Sequence, residues 1–279
     1  MEQISYPILL ASVLVPLLAS IILPALKLKA KPLATISFLS LLFPLAIFSY
    51  CALAFKAAKG LVDPVYYSHP TIGSFTMLLD PLSSPIAFSI ALVTSLVALY
   101  SLPYMEHRIE EMEREGEAPQ PLGVYYMLYT MFSASMIGTV LSTNLIEFYI
   151  FFELTLIPSF LLIAFYGYGN RLRIAIMYLI WTHVGALLLL VGTLIFGFSS
   201  GTFNILNVET FQFNLGLGQR MPSPLIFATL MLMSIGFFIK MAVFGVHIWL
   251  PYAHAEAPTP VSALLSPNLI GIAGYALIR

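Results

Sequence analysis

Runs of about twenty apolar residues follow one another along most of this chain, separated by short polar loops. Such runs have few ways to fold. In lipid every backbone N–H and C=O must be satisfied within its own segment, and about 20 mostly apolar residues in a helix cross the hydrocarbon core. Scanning at that length marks eight spans, at roughly 5–26, 33–56, 83–105, 122–143, 145–168, 173–198, 223–250 and 260–279. Only 9% of the 279 residues are charged and mean hydropathy is +0.93, whereas soluble domains carry about a quarter charged residues. The expected fold class is therefore all-α, a polytopic membrane protein in contact with the lipid bilayer. A net charge of −1 without a basic patch points to no nucleic-acid partner. Cys51 is the single cysteine and lies inside an apolar run, which excludes an intrachain disulfide and most metal sites. The first run follows the acidic start MEQ, with no basic n-region and no clear cleavage site, so a retained helix is expected.

Two loops carry content. Residues 57–82 (AKGLVDPVYYSHPTIGSFTMLLDPLS) mix β-formers with Pro and Gly, which suits a small hairpin, and residues 106–121 (EHRIEEMEREGEAPQP) are charged enough to require water. Lys and Arg in short loops set orientation. With the N-terminus outside, the inner loops hold Lys27, Lys29, Lys31, Arg108, Arg114, Arg171 and Arg173, against Lys56, Lys59 and Arg220 outside. The chain is thus expected to be multi-pass in the inner cell membrane, N-terminus out. No soluble domain, low-complexity tract or internal repeat is legible.

Ionisable groups inside a span are costly, and they usually face a bundle interior or a water cavity. Glu147, Glu153, His183 and Lys240 are the four candidates. Glu153 lies in FYIFFELTLIPSFLLIAFYG, far from either charged loop, and Lys240 lies in FFIKMAVFGVHIWLPYAHAEAPTPVSALL. Brought together, each would hold the other's charge, and separating them would release a proton; the same pair could equally be a purely structural bridge. His183 can be a hydrogen-bonded core histidine, and Glu147, near its helix start, can simply reach the outer water. Pro158 cannot donate to the carbonyl of Leu154, so the helix should loosen beside Glu153. Pro251, Pro258, Pro260 and Pro267 are expected to break the end of the seventh span and the start of the eighth, with His247 and His254 inside the broken region. Lysine, histidine and broken helix together suggest a proton path. The two His of HIWLPYAH are seven apart with no Cys or acidic residue between them, a poor metal site. No Cys cluster, P-loop or dinucleotide fingerprint is present, so no cofactor is expected and any redox chemistry belongs to partners.

KMAVFGVHIWLPYAHAEAPTPVSALL resembles the signature of the antiporter-like subunits of respiratory complex I, a family that includes the Mrp-type cation/proton antiporters and related membrane-bound hydrogenases. FYIFFELTLIPSFLLIAFYG is similar to that family's fifth-helix motif, and MLLDPLSSP to its approach to helix three, so the resemblance runs from about Met77 onward. It implies three peripheral helices and then two inverted five-helix repeats. Residues 1–121 would hold the peripheral helices and a charged loop, and residues 122–279 the first repeat. By position Glu153 takes the role of the fifth-helix glutamate and Lys240 that of the lysine in the broken seventh helix. His247 and His254 extend the relay, with Glu147, His183, Glu256 and Ser266 as secondary candidates. Tyr252 departs from the acidic residue many members carry before the alanine–histidine pair, and SPNLIGIAGYALIR offers only Ser266 and Asn268 where the family often has Lys or His. The resemblance implies a subunit translocating protons or Na+ beside other membrane subunits, one of them supplying or replacing the second repeat. A dimeric stand-alone transporter and a non-pumping structural subunit stay open as alternatives.

Overall fold

In the computed structural model, which describes residues 2–26, 28–54, 60–207, 212–213 and 222–279, the apolar runs are helices. Lys27, Lys56, Lys59 and Arg220, used above for orientation, lie outside the described residues. The helices are α1 (Ile8–Ile22), α2 (Ala30–Ala54), α3 (Ser83–Arg114), α4 (Leu122–Leu141), α5 (Leu145–Leu154), α6 (Leu156–Tyr166), α7 (Arg171–Ser200), α8 (Ser223–Lys240), α9 (Trp249–Glu256), α10 (Thr259–Leu264) and α11 (Ile270–Ile278). Seven segments are long and apolar enough to cross a membrane: α2, α3, α4, α5 with α6, α7, α8, and α10 with α11. The chain is a multi-pass, mostly helical membrane protein.

Four expectations about its elements need correcting. The first span is only 15 residues of helix, about 22 Å at 1.5 Å per residue, which falls short of a hydrocarbon core of about 30 Å. The third helix does not stop at residue 105. It runs to Arg114, because Glu and Arg that must leave lipid are good helix formers once in water. Arg108, counted above as a loop charge, is buried: its guanidinium donates to the carbonyls of Tyr166 and Gly167 and pairs with Glu111 at 2.7 Å. It satisfies the carbonyl end of α6, which has no further helical donors. Finally, short strands accompany the helices. Glu2–Gln3, Leu61–Val62 and Leu78–Leu79 form a three-stranded sheet, and Tyr67–His69 pairs with Gly73–Phe75 in the expected hairpin.

Polar contacts fix the two ends of the bundle. At one end, called here the strand face, Asn144 and Ser74 bond Asn204, and Arg279 grips Asp80 with two 2.7 Å bonds. At the other, the charged face, Tyr104 bonds Tyr168 and Thr259, and Arg171 pairs with Glu117. Inside, α1 and α2 pack on α4, and α7 packs along α8. The α7–α8 contact depends on glycine. A Cβ on Gly236 would lie 2.6 Å from the carbonyl oxygen of Gly185, so only hydrogen fits there. This close approach seats the end of α8, and hence Lys240, against the bundle.

The Asp80–Arg279 pair gives a stability prediction. Burial alone would raise the Asp80 carboxyl, but the bonds from Arg279 and from the Ser83 amide outweigh it and hold it below the usual carboxylate range. A carboxyl so lowered in the fold stabilises above its unfolded value, near 3.9, and loses that contribution as pH falls through the folded value. Asp80→Asn removes this charge pair while Arg279 keeps the Tyr275 hydroxyl at 3.1 Å, and it should cost about 1–3 kcal/mol. Thermal unfolding in detergent at neutral pH checks this. A variant as stable as wild type would show the pair to be inert.

Candidate functional site

The site forms inside the bundle, where two apolar helices break. The first break is at Thr155, between α5 and α6. Pro158 has no N–H for the Leu154 carbonyl, and Thr155 Oγ1 turns inward to donate to Phe152 O at 2.7 Å. The second lies at Met241–Ile248, between α8 and α9, where Ala242 has φ 52° and Gly245 φ 98°. A non-glycine residue with positive φ cannot continue a right-handed helix. This break lies upstream of the prolines at which interruption was expected. The downstream prolines break the helix as well: Pro258 lies in the extended link Ala257–Pro258 that parts α9 from α10, and Pro267 in the π turn Leu265–Leu269, whereas Pro251 sits in the first turn of α9. Trp249 Nε1 closes the second break by donating to Ile239 O at 2.9 Å.

Lys240 ends α8 and is 1% exposed. Its Nζ donates to Thr155 Oγ1 at 3.4 Å and stands 4.8 Å from the Phe152 ring centre. Both neighbours flank Glu153 in the chain. No direct Lys240–Glu153 contact forms. Glu153 Oε2 instead meets His183 Nδ1 at 3.2 Å, with side-chain exposures of 22% and 49%. Glu153 Oε1 is buried and has no hydrogen-bond partner among the described residues. Glu153 is the ninth residue from the start of α5, about 12 Å into the span. His183 is therefore a half-exposed partner of that glutamate and not a core histidine.

The remaining candidates divide. Glu147 does not reach water. It is buried and accepts from Thr143 N at 3.2 Å, while Asn144, the N-cap, accepts from Ile146 N at 2.8 Å. Each side chain thus accepts a backbone N–H at the start of α5, a helix-capping and therefore structural use. His247 lies in the second break, stacked on Phe244 with centroids 5.5 Å apart. His254 lies beyond that break, within α9, bonded to Ser262. Glu256 ends α9 at the charged face, where its carbonyl accepts from Tyr168 N at 2.8 Å. Ser266 is exposed, whereas Asn268, two residues on, is buried with its amide nitrogen unpartnered among the described residues. Sequence reasoning passed over Thr155, Ser159 and Tyr178, all fully buried. The spacing of Thr155 and Ser159, one turn apart in an apolar span, was the available signal.

A multi-pass helical protein that buries a lysine beside broken helices has a feature that in membrane proteins marks functional sites. Comparison with known proteins narrows this. Residues 142–279 match the family profile described as "NADH:quinone oxidoreductase/Mrp antiporter, TM", and residues 71–114 match "NADH-Ubiquinone oxidoreductase (complex I), chain 5 N-terminus". One of the subunits of the Na(+)/H(+) antiporter of Alkalihalophilus pseudofirmus is 33% identical over 272 residues, covering 94% of this chain and 31% of that protein. Two solved structures share the fold. A chain of the membrane-bound sulfane sulfur reductase, an archaeal respiratory membrane complex, superposes with TM-score 0.80 at 18% identity, over 98% of this chain and 53% of that one. A chain of respiratory complex I from Thermus thermophilus superposes with TM-score 0.72 at 26% identity, over 97% and 52%. The chain belongs to the family of antiporter-like membrane subunits found in complex I, Mrp antiporters and related membrane-bound complexes. It spans about a third to a half of the length of these relatives.

Proposed function

We propose that this chain is a subunit of a complex-I-like or Mrp-like membrane assembly and carries part of a path for protons or Na+. Residues 122–279 form one five-helix half of the translocating unit, and residues 1–121 add peripheral helices and a charged segment. The observation that carries this reading is Lys240, a fully buried ammonium at a helix break whose neighbours are one hydroxyl and one ring. Such a charge is costly at that depth and finds little compensation within the chain. Glu153 is the switch in this reading: it can hold His183, as in the structure, or turn to Lys240 with its unbonded oxygen. His247, His254 and Glu256 follow α9 from the break toward the charged face. A second membrane polypeptide, supplying or replacing the second repeat, covers the non-helical segment 241–248, where Phe244 is exposed. The protein sits in the inner cell membrane with its N-terminus outside, because Lys29, Lys31, Arg108, Arg114, Arg171 and Arg173 lie toward the other side.

The test uses sealed vesicles containing the assembled complex. Glu153→Gln cannot change charge, and ion transport should fall by at least about tenfold with assembly intact. Undiminished transport would remove Glu153 from the path. In the same vesicles a thiol reagent should reach Glu115→Cys only from the cytoplasmic side, and labelling from outside would invert the proposed orientation.

A further inference from the structure

A site that moves ions cannot be open to both sides of the membrane at once, or it only leaks. A cavity of about 300 Å³ lies in the strand-face half of the bundle, between α5, α7, α8 and α11. Leu145, Ile205 and Arg279 bound its outer end, and Thr229 and Ser234 bring hydroxyls to its wall. At about 30 Å³ per molecule it has room for on the order of ten waters. Phe148 and Phe237 form its inner end. Lys240 lies three residues beyond Phe237 on α8, about 4.5 Å further along the helix axis.

Between the cavity and Lys240 stand three rings. Phe148 stacks on Phe152 with centroids 5.5 Å apart, and Phe237 meets both edge-on at 6.1 Å. Rings with centroids about 4.5–7 Å apart touch one another, and all three are buried. Phe152 in turn faces the Lys240 ammonium at 4.8 Å. We infer that Phe148, Phe152 and Phe237 form a dry gate that closes the strand-face cavity against Lys240. Apolar constrictions in channels stop ions by excluding water, and these rings carry no atom that could replace an ion's hydration shell. Core packing alone would account for rings in contact. It does not account for their place, with a hydroxyl-lined space on one side and a buried ammonium on the other. Their attachment also suits a gate. Phe148 and Phe152 hang on α5, which ends at the Thr155 break, and Phe237 on α8, which ends at the break 241–248. A tilt of α8 against α5 would part Phe237 from the other two.

The inference rests on the proposed function, and its test reads access to position 240 in place of transport. Native membrane vesicles of the assembled complex, sealed with the strand face outward, carry Lys240→Cys and receive Ag+, a small thiol-binding cation, from outside. Thiols left free are alkylated after unfolding and counted by peptide mass, which separates position 240 from the native Cys51. With the three rings in place Ag+ should reach position 240 slowly. Adding Phe237→Ala should speed the reaction at least about tenfold, as a barrier lower by about 1.4 kcal/mol would. Phe148→Ala should act in the same direction, and Phe237→Trp should leave the rate low. Phe237→Leu, which keeps most of the apolar bulk, should give a smaller rise and serves if the alanine chain fails to assemble. Glu115→Cys, at the charged face, should stay untouched by external Ag+ in every variant. Equal rates with and without Phe237→Ala or Phe237→Leu would overturn the gate, as would fast reaction with all three rings present. Ag+ reaching Glu115→Cys as readily as position 240 would also overturn it, because the loss of sealing would then be general. Full transport by Lys240→Ala would overturn the proposed function without altering these rates, so the two failures are distinct.

Discussion

Lys240→Ala is expected to abolish ion transport while the protein stays inserted and assembled. The ammonium has little structural hold to lose: one hydrogen bond of 3.4 Å to Thr155 Oγ1 and one ring contact at 4.8 Å to Phe152. Together these are worth about 1–3 kcal/mol, and removing a buried charge returns part of its desolvation cost. Glu153 is not stranded by the change, because it keeps His183 at 3.2 Å. The functional loss should be near complete, since no other lysine or arginine among the described residues occupies that depth. Lys240→Arg separates charge from proton exchange. A guanidinium preserves the positive charge but holds its proton at any working pH, so the variant should be as inactive as alanine. Transport rates normalised to the amount of assembled complex decide the matter. An arginine variant that transports normally would rule out deprotonation of Lys240 as a step.

Much of this site was legible as residues and little of it as geometry. Hydropathy finds the spans because the bilayer imposes one length on them. Pro158 foretold the break beside Glu153 because a missing N–H has a fixed consequence four residues back. The break after Lys240 was placed too late. It is made by positive φ at Ala242 and Gly245, and an alanine in that conformation leaves no mark in the sequence. The partner of Glu153 was equally out of reach. Which of Lys240 and His183 it meets depends on how α5 is rotated against α7 and α8, and every face of α5 is apolar apart from its two glutamates. Glu147 illustrates the reverse case. Asn144 and Glu147 stand three apart at a helix start, the spacing of a capping box, so its structural use could have been read from the sequence. The two-residue strands were too short for an alternating pattern to register.

The face around Phe244 should be covered by a second membrane polypeptide, and Phe244→Asp should break that association. Phe244 is 94% exposed at the tip of the second break, with Val243, Ile248 and Tyr252 also open beside it. Their side chains would sit comfortably in lipid. The backbone is less at ease: residues 241–248 are not helical, and although the amides of 241, 242, 243, 245 and 246 find internal acceptors, irregular backbone at membrane depth persists only against protein or a water-filled cavity. His247, stacked on Phe244, adds a polar group to the same face. A partner seated here would bury an aromatic anchor, the kind of contact that dominates interface energies, where truncation commonly costs about 2 kcal/mol or more. Aspartate would place an unpaired charge in the interface, at a cost of several kcal/mol. Purification in mild detergent followed by mass measurement should find the wild-type chain with a membrane partner and the Phe244→Asp chain without it. Two results would defeat the claim. One is a monodisperse, transport-active monomer of this chain alone, and the other is a Phe244→Asp variant that retains its partner in full. Phe244→Leu, which keeps the surface apolar, should retain the partner. That contrast ties the loss to the introduced charge and separates it from any general damage to the loop.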